Sequence, residues 1–86
     1  MYNIEYHKSA LKDIEKIKQN KLEKKVKGLI EVLRNNPYQN PPPYEKLLGD
    51  LSEYYSRRIN IQHRLVYQVL EEKNVVRILS LWSHYE

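Results

Sequence analysis

The 86-residue chain contains no cysteine, no phenylalanine and only two glycines. Without cysteine it can form neither disulfides nor thiolate nucleophiles, and this composition is typical of the cytoplasm. With two glycines it has no glycine-rich loop that could cradle a phosphate. No apolar run approaches the roughly 20 residues that a membrane-spanning helix needs. We therefore expect a cytoplasmic protein with no membrane association.

Secretion signals and metal-binding patterns are also missing. Residues 1–8 contain no apolar segment of the kind found in a secretory signal peptide. The sequence has no His-x-x-x-His motif and no cluster of carboxylates. We therefore expect no metal ion and no other cofactor.

The charge balance of the chain is basic. Lysine and arginine total 15 against 11 aspartate and glutamate residues, for a net charge of +4. This balance favours an anionic partner, either a nucleic acid or an acidic protein, although many small soluble domains are equally basic. The length fits one domain, residues 1–86. A domain of this size buries only a modest core, which favours tight association with a partner.

The spacing of apolar residues predicts the order β-α-α-β-β-β-β. Alternation over residues 2–6 predicts a strand, and spacings of three and four residues predict two helices, from Lys8 and from Leu22. Asn35-Asn36-Pro37 should end the second helix, since proline cannot continue it. Further strands are predicted at 45–48, 54–60, 63–70 and 75–82. Two N-terminal helices on a mostly antiparallel sheet make an α+β fold.

Three arginines lie in the predicted hairpin, at Arg57, Arg58 and Arg64. A guanidinium group presents a planar fork of donors that suits phosphate oxygens. Arg58 and Arg64 flank the hairpin turn, so their side chains could converge on one phosphate. The alternative is that these arginines are solvated and paired with carboxylates, for which the candidates are Glu45, Asp50, Glu53 and Glu71.

Two further residues are candidates for proton transfer. His84 follows the last predicted strand, and an imidazole with its ordinary pKa near 6.5 suits a general acid or base. Glu45 begins a short strand and could act as a general base. For each the alternative is a surface residue with no role, and His7 and His63 are expected to be structural. The lysine-rich face of the second helix is either solvated or docks on a polyanion; it comprises Lys21, Lys24, Lys25 and Lys27.

The C-terminal half contains motifs that resemble one known family. They are Glu45-Lys46-Leu47, Gly49-Asp50-Leu51-Ser52, Tyr55-Ser56-Arg57-Arg58-Ile59, His63-Arg64-Leu65-Val66-Tyr67 and His84-Tyr85. With these motifs in this order, the chain resembles the Txe/YoeB branch of the RelE/ParE superfamily of type II toxin–antitoxin systems. The resemblance implies a small RelE-like domain. It also implies a ribosome-dependent endoribonuclease that cleaves mRNA in the A site by 2′-OH attack, without a metal, and so inhibits translation.

The resemblance also implies roles for individual residues. Glu45 matches the general base and Arg64 the arginine that stabilises the phosphate. His84 matches the general acid, Tyr85 the aromatic residue beside it, and Arg58 a second arginine of the site. Two further contacts to RNA or phosphate are expected, from Arg57 and Lys46.

The implied partners are the ribosome, mRNA and a cognate antitoxin of the YefM, Axe or Phd type. The antitoxin should supply an acidic or amphipathic segment that covers the basic cleft, and a homodimer is left open. Two alternatives to the nuclease are a toxin that poisons DNA gyrase, as in the ParE branch, and a non-catalytic relative that binds RNA or ribosomes.

The chain departs from the family pattern at several positions. Many relatives have lysine where Leu48 stands, and Lys46, two residues earlier, is the expected substitute. Relatives often have glycine in place of Glu53 and an acidic residue in place of Gln62. The additional Glu86 places carboxylates near His84, which should raise the pKa of the imidazole and repel RNA.

Overall fold

The structure, a computed structural model, describes residues 1–47 and 54–84, with His84 represented by its backbone. The helices and strands of the described residues follow the predicted order β-α-α-β-β-β-β. They are β1 (Asn3–Tyr6), α1 (Lys8–Gln19), α2 (Glu23–Asn35), β2 (Glu45–Lys46), β3 (Tyr54–Arg58), β4 (His63–Leu70) and β5 (Val75–His84). A single 3₁₀ turn, Glu71–Lys73, joins β4 to β5. The predicted α+β class is confirmed.

Four strand boundaries differ from the sequence prediction, and two of them are the start of β1 at Asn3 and the end of β2 at Lys46. Strand β3 ends at Arg58 rather than at residue 60, because the side chain of Asn60 builds the turn that follows. Its Oδ1 accepts hydrogen bonds from the backbone N–H groups of Gln62 (2.9 Å) and His63 (2.8 Å). Strand β5 continues to His84, two residues beyond the predicted end.

The described strands form one mixed sheet in the order β1-β5-β4-β3-β2. Strand β1 runs parallel to β5, and the other neighbours are antiparallel. A parallel neighbour requires a long crossover, and the chain passes through both helices between β1 and the rest of the sheet. The C-terminal strand therefore lies inside the sheet, where it is held on both sides.

Both helices pack on one face of the sheet, the core face. In β4, Leu65, Tyr67 and Val69 are buried, whereas the alternating residues Arg64, Val66 and Gln68 are only half-buried. Strand alternation therefore separates the core face from an open face that carries Arg64. The helices contribute apolar residues to the core, namely Ala10, Ile17, Val26, Leu29, Ile30 and Leu33. None of the helices in the described ranges is long and apolar enough to cross a membrane.

Tyrosine takes the place of phenylalanine in this core. Tyr67 is fully buried, and its ring stacks on that of Tyr55 with centroids 5.6 Å apart. Its hydroxyl donates to the Pro37 carbonyl at 2.7 Å, so the polar end is satisfied. This bond ties the loop after α2 to the sheet.

Candidate functional site

Three of the predicted site residues lie on the open face of the sheet. Glu45 pairs with Ser56, which pairs with Val66, and Arg58 pairs directly with Arg64. Residues directly opposite one another in neighbouring strands point to the same face. Glu45, Arg58 and Arg64 therefore share the face that the helices leave uncovered.

The register also sets how far apart these residues lie. Arg58 and Arg64 are directly opposite, so their Cα atoms are roughly 5 Å apart. Glu45 is two strands and two residues away from Arg64, which corresponds to about 12 Å between Cα atoms. Glutamate and arginine side chains can reach toward each other over that distance. The face therefore presents one carboxylate and two guanidinium groups within side-chain reach of one another.

The three side chains differ in exposure. Glu45 and Arg58 are exposed, whereas Arg64 is half-buried. Arg58 lies beside the hairpin turn, where its Nη1 donates to the Ile61 carbonyl at 3.2 Å. Arg64 lies in an inner strand between two buried residues, so its backbone position is well fixed. This arrangement favours Arg64 over Arg58 as the more preorganised cation.

The structure contradicts the predicted phosphate-binding role of Arg57. Its side chain is 1% exposed and lies on the core face, beneath the loop that follows α2. The guanidinium donates to three carbonyl oxygens of that loop, those of Pro37, Gln39 and Pro42. It also lies over the Tyr44 ring, 4.8 Å from its centroid. Arg57 therefore anchors the loop, and both of its terminal guanidinium nitrogens already donate to the protein.

Lys46 is not on the face that carries Glu45 and Arg64. It pairs with Tyr55, and strand alternation places it on the opposite side of the sheet from its neighbour Glu45. The residue is exposed at the edge of the sheet. Lys46 was predicted to contact RNA or phosphate, but the register places it on the opposite face from Glu45, Arg58 and Arg64.

The C-terminal end of β5 lies beside Arg64. Ser83 pairs with Arg64, and the backbone of His84 pairs with His63. The backbone of His84 thus lies one residue from the Arg64–Ser83 pair, and the role of its side chain stays a prediction. Tyr85, like Leu48, Glu53 and Glu86, lies outside the described residues.

The other two histidines have structural surroundings. His63 is buried, and its ring stacks on Trp82 with centroids 3.7 Å apart and 16° between the planes. His7 precedes α1, and its Nδ1 accepts from the Ser9 N–H at 3.3 Å, capping the helix. These contacts give both side chains a role in the fold.

A polar network that the sequence did not point to lies behind the end of β5. Asp13 of α1 accepts hydrogen bonds from the Leu81 N–H (3.0 Å) and the Ser80 hydroxyl (3.3 Å). The Ser80 hydroxyl in turn accepts from the Ser83 hydroxyl at 2.9 Å. Helical spacing predicts that Asp13 is on α1, but nothing in the sequence links it to a residue 68 positions away.

A cleft of about 390 Å³ adjoins Arg58. It is lined by Lys25, Pro42, Pro43 and the segment from Arg58 to Ile61. Lys25 belongs to the lysine-rich face of α2. The cleft therefore brings part of that basic face close to the open face of the sheet.

A second cleft, of about 460 Å³, lies at the far end of β4 and contains none of the predicted site residues. Glu71 there accepts hydrogen bonds from the hydroxyl groups of Tyr38 (2.6 Å) and Tyr2 (3.1 Å). Burial, followed by the bond to Glu71, raises the pKa of Tyr38 above its usual value. These tyrosines are held as neutral donors and form a structural cluster.

The sequence and fold both match known proteins. A family model described as "YoeB-like toxin of bacterial type II toxin-antitoxin system" matches residues 6–85. Toxin YoeB of Synechocystis is 38% identical over 66 residues, which cover 77% of this chain and 74% of the relative.

Two solved structures from Staphylococcus aureus are similar along the whole chain. One is the heterotetrameric YoeB–YefM toxin–antitoxin complex, whose matching chain has a TM-score of 0.80 and 38% identity, with 99% of both chains covered. The other is a YoeB dimer, with a TM-score of 0.80 and 37% identity over 98% of both chains.

Proposed function

Because this chain belongs to the family of YoeB-like toxins of bacterial type II toxin–antitoxin systems, we propose that it is a ribosome-dependent endoribonuclease. It cleaves mRNA in the ribosomal A site and so inhibits translation. One observation carries the proposal. Glu45 and Arg64 share the open face of the sheet, and the backbone of His84 lies one residue from the Arg64–Ser83 pair.

The reaction that fits these residue types is an intramolecular phosphoryl transfer. Glu45 removes the proton from a ribose 2′-OH, and the oxygen attacks the adjacent phosphorus. The bond from phosphorus to the 5′-oxygen breaks, and His84 protonates that leaving oxygen. The products are a 2′,3′-cyclic phosphate and a free 5′-OH. Each proton transfer is typically worth about 10²–10⁴-fold in rate.

Negative charge grows on the phosphoryl oxygens during the attack. A half-buried guanidinium at Arg64, fixed by an inner strand, stabilises that charge without having to reorganise as water would. Arg58, directly opposite, adds a second and more exposed cation. Tyr85 is assigned as the aromatic residue that accompanies His84.

The openness of the site gives a physical reason for dependence on the ribosome. Glu45 is exposed on a two-residue edge strand, so the protein alone offers little to hold an RNA strand in line for attack. Correct positioning of reacting groups contributes several kcal/mol, roughly 7–11 in favourable cases. In our proposal the ribosome supplies that positioning by holding the mRNA.

The proposed protein partners are inferred from the family and from the basic net charge of the chain. We propose that a cognate antitoxin of the YefM type silences the toxin by laying an acidic or amphipathic segment over the open face. The S. aureus relatives include both a YoeB–YefM complex and a YoeB dimer. A homodimer of this chain is proposed on the same basis, and the expected compartment is the cytoplasm.

Induced expression in a bacterial host tests the proposal. The wild-type chain should arrest growth, and Glu45→Gln or Arg64→Ala should relieve the arrest. Arg77→Ala is the matched control, because it removes a strand arginine that forms an ion pair with a surface carboxylate, Glu5, at 3.4 Å. Primer extension on mRNA should show new ends within codons. Growth arrest without new mRNA ends would contradict the proposal and would fit a gyrase poison instead.

A further inference from the structure

We propose that Asp13 of α1 is a positioning residue for this reaction. It fixes two bulges in β5 and thereby sets where Ser83 and His84 lie relative to Arg64. The inference rests on the proposed nuclease function, because it assigns a purpose to the position of His84.

The two bulges are visible in the pairing of β5 with β4. Tyr67 pairs with Ile78, but its neighbour Val66 pairs with Ser80, so Leu79 is an extra residue. The next pair is Arg64 with Ser83. Leu81 and Trp82 therefore both lie opposite Leu65, which is a second bulge.

These bulges determine which residue of β5 lies beside Arg64. Without them, the pairing of Tyr67 with Ile78 would continue regularly and would place Leu81 opposite Arg64. The backbone of His84 would then shift by two residues, about 7 Å, past the start of β4. The register in which His84 pairs with His63 therefore exists only while both bulges persist.

Bulges leave backbone groups without ladder partners, and here side chains supply them. The Leu81 N–H donates to Asp13 at 3.0 Å, and the Trp82 N–H donates to the Ser80 hydroxyl oxygen at 3.3 Å. The Leu79 carbonyl accepts from the Ser9 hydroxyl at 2.6 Å. Ser9 and Asp13 are four residues apart and so lie on one side of α1. Side chains on one face of α1 thus form hydrogen bonds with the backbone at both bulges.

The network also reaches the residue that precedes His84. The Ser83 hydroxyl donates to Ser80, whose own hydroxyl donates to the Asp13 carboxylate. Asp13 therefore holds the amide of the bulge directly and the side chain of Ser83 through one intermediary. Losing the carboxylate would loosen both at once.

The test compares Asp13→Ala, Asp13→Asn and the control Glu15→Ala, which alters an exposed carboxylate on the same helix. Each full-length variant is assayed for cleavage of mRNA on purified ribosomes, and kcat is separated from KM. Hydrogen exchange of the Leu81 amide is followed by NMR. Thermal unfolding confirms that each variant is folded.

We expect Asp13→Ala to lower kcat by roughly 10–100-fold with KM unchanged, because displacing a catalytic group by about 1 Å can cost 10²-fold. The Leu81 amide should exchange faster. Asp13→Asn should retain most activity, since its amide oxygen can still accept from Leu81. Glu15→Ala should behave as wild type.

Three results would overturn the inference: a folded Asp13→Ala protein with wild-type kcat, an unchanged Leu81 exchange rate, or an Asp13→Asn variant as impaired as Asp13→Ala. If Asp13→Ala does not fold, Ser80→Ala replaces it, with the same expected loss of kcat, and an unchanged kcat there overturns the inference. If the wild-type protein leaves mRNA intact, the proposed function fails. The Leu81 exchange rates then still decide whether Asp13 holds the bulge.

Discussion

Arg57 and Arg58 are consecutive in β3 yet point to opposite faces of the sheet. Arg57 is buried beneath the loop after α2 and donates to three of its carbonyl groups. Arg58 is exposed beside Arg64. The same residue type therefore stabilises the fold at one position and is exposed at the next, so the two contributions can be measured separately.

Arg57→Ala should destabilise the protein by more than about 3 kcal/mol, because it removes three charge-assisted hydrogen bonds and takes this donor from the half-buried Gln39 and Pro42 carbonyls, whereas the Pro37 carbonyl keeps the Tyr67 hydroxyl. Arg58→Ala is the matched control and should change the free energy of unfolding by less than about 0.5 kcal/mol. Urea denaturation followed by circular dichroism measures both. Equal stability losses in the two variants would contradict the assignment of Arg57 to the fold.

Arg64→Ala should lower kcat for mRNA cleavage by roughly 10²–10³-fold, the usual effect of removing a preorganised group that stabilises transition-state charge. Arg58→Ala should cost less, about tenfold, since Arg58 is exposed and already donates to the Ile61 carbonyl. Single-turnover cleavage on purified ribosomes gives both values. A larger loss for Arg58→Ala than for Arg64→Ala would reverse the assigned roles.

Glu45→Gln should reduce kcat by roughly 10²–10⁴-fold, because the amide has nearly the same shape as the carboxylate but cannot take up the 2′-OH proton. Binding to ribosomes should be unchanged. The measurement is cleavage at saturating ribosome concentration, with a sedimentation assay for binding. Full activity in Glu45→Gln would show that another group is the base.

Ionisation of the Tyr67 hydroxyl should lower the free energy of unfolding at alkaline pH. Burial raises the pKa of Tyr67 to about 12, against about 10 in an unfolded chain. The unfolded chain loses this proton first. The stabilisation is therefore complete below pH 10 and is lost as the pH rises through about 12, at roughly 1.4 kcal/mol per pH unit.

The variant Tyr67→Phe isolates this effect. It lacks the titrating hydroxyl, so its free energy of unfolding should decline less steeply between pH 10 and 12 than that of the wild type. At neutral pH it should be less stable by about 1 kcal/mol, since the Pro37 carbonyl loses one of its two donors and keeps only Arg57. Urea titrations at several pH values measure both quantities. Parallel declines in the two proteins would contradict a raised pKa at Tyr67.

Local patterns were sufficient to predict the element order and which residues of β4 face away from Arg64. Alternation in β4 predicted that Leu65, Tyr67 and Val69 face away from Arg64, and the structure buries all three. Cross-strand pairing also brings Arg58 opposite Arg64, as the hairpin position indicated. These features depend on neighbouring residues and one tight turn, which a sequence displays directly.

The features that escaped prediction depend on contacts between distant segments. Arg57 was predicted to contact RNA. Its burial was not predicted, because it requires a loop that begins 20 positions earlier to fold over it. The bulges of β5 depend on Asp13 in α1, whose partners lie 67 and 68 positions away. Lys46 was expected to contact RNA or phosphate, but the register places it on the opposite face of the sheet from Glu45.

The most direct test of the central claim is to sequence mRNA ends after incubating purified ribosomes with the protein. The wild type should generate new ends within the A-site codon. Glu45→Gln, Arg64→Ala and His84→Ala should each generate far fewer, whereas Arg77→Ala should match the wild type. Abundant A-site ends in all three site variants, or none with the wild type, would contradict a nuclease built from these residues.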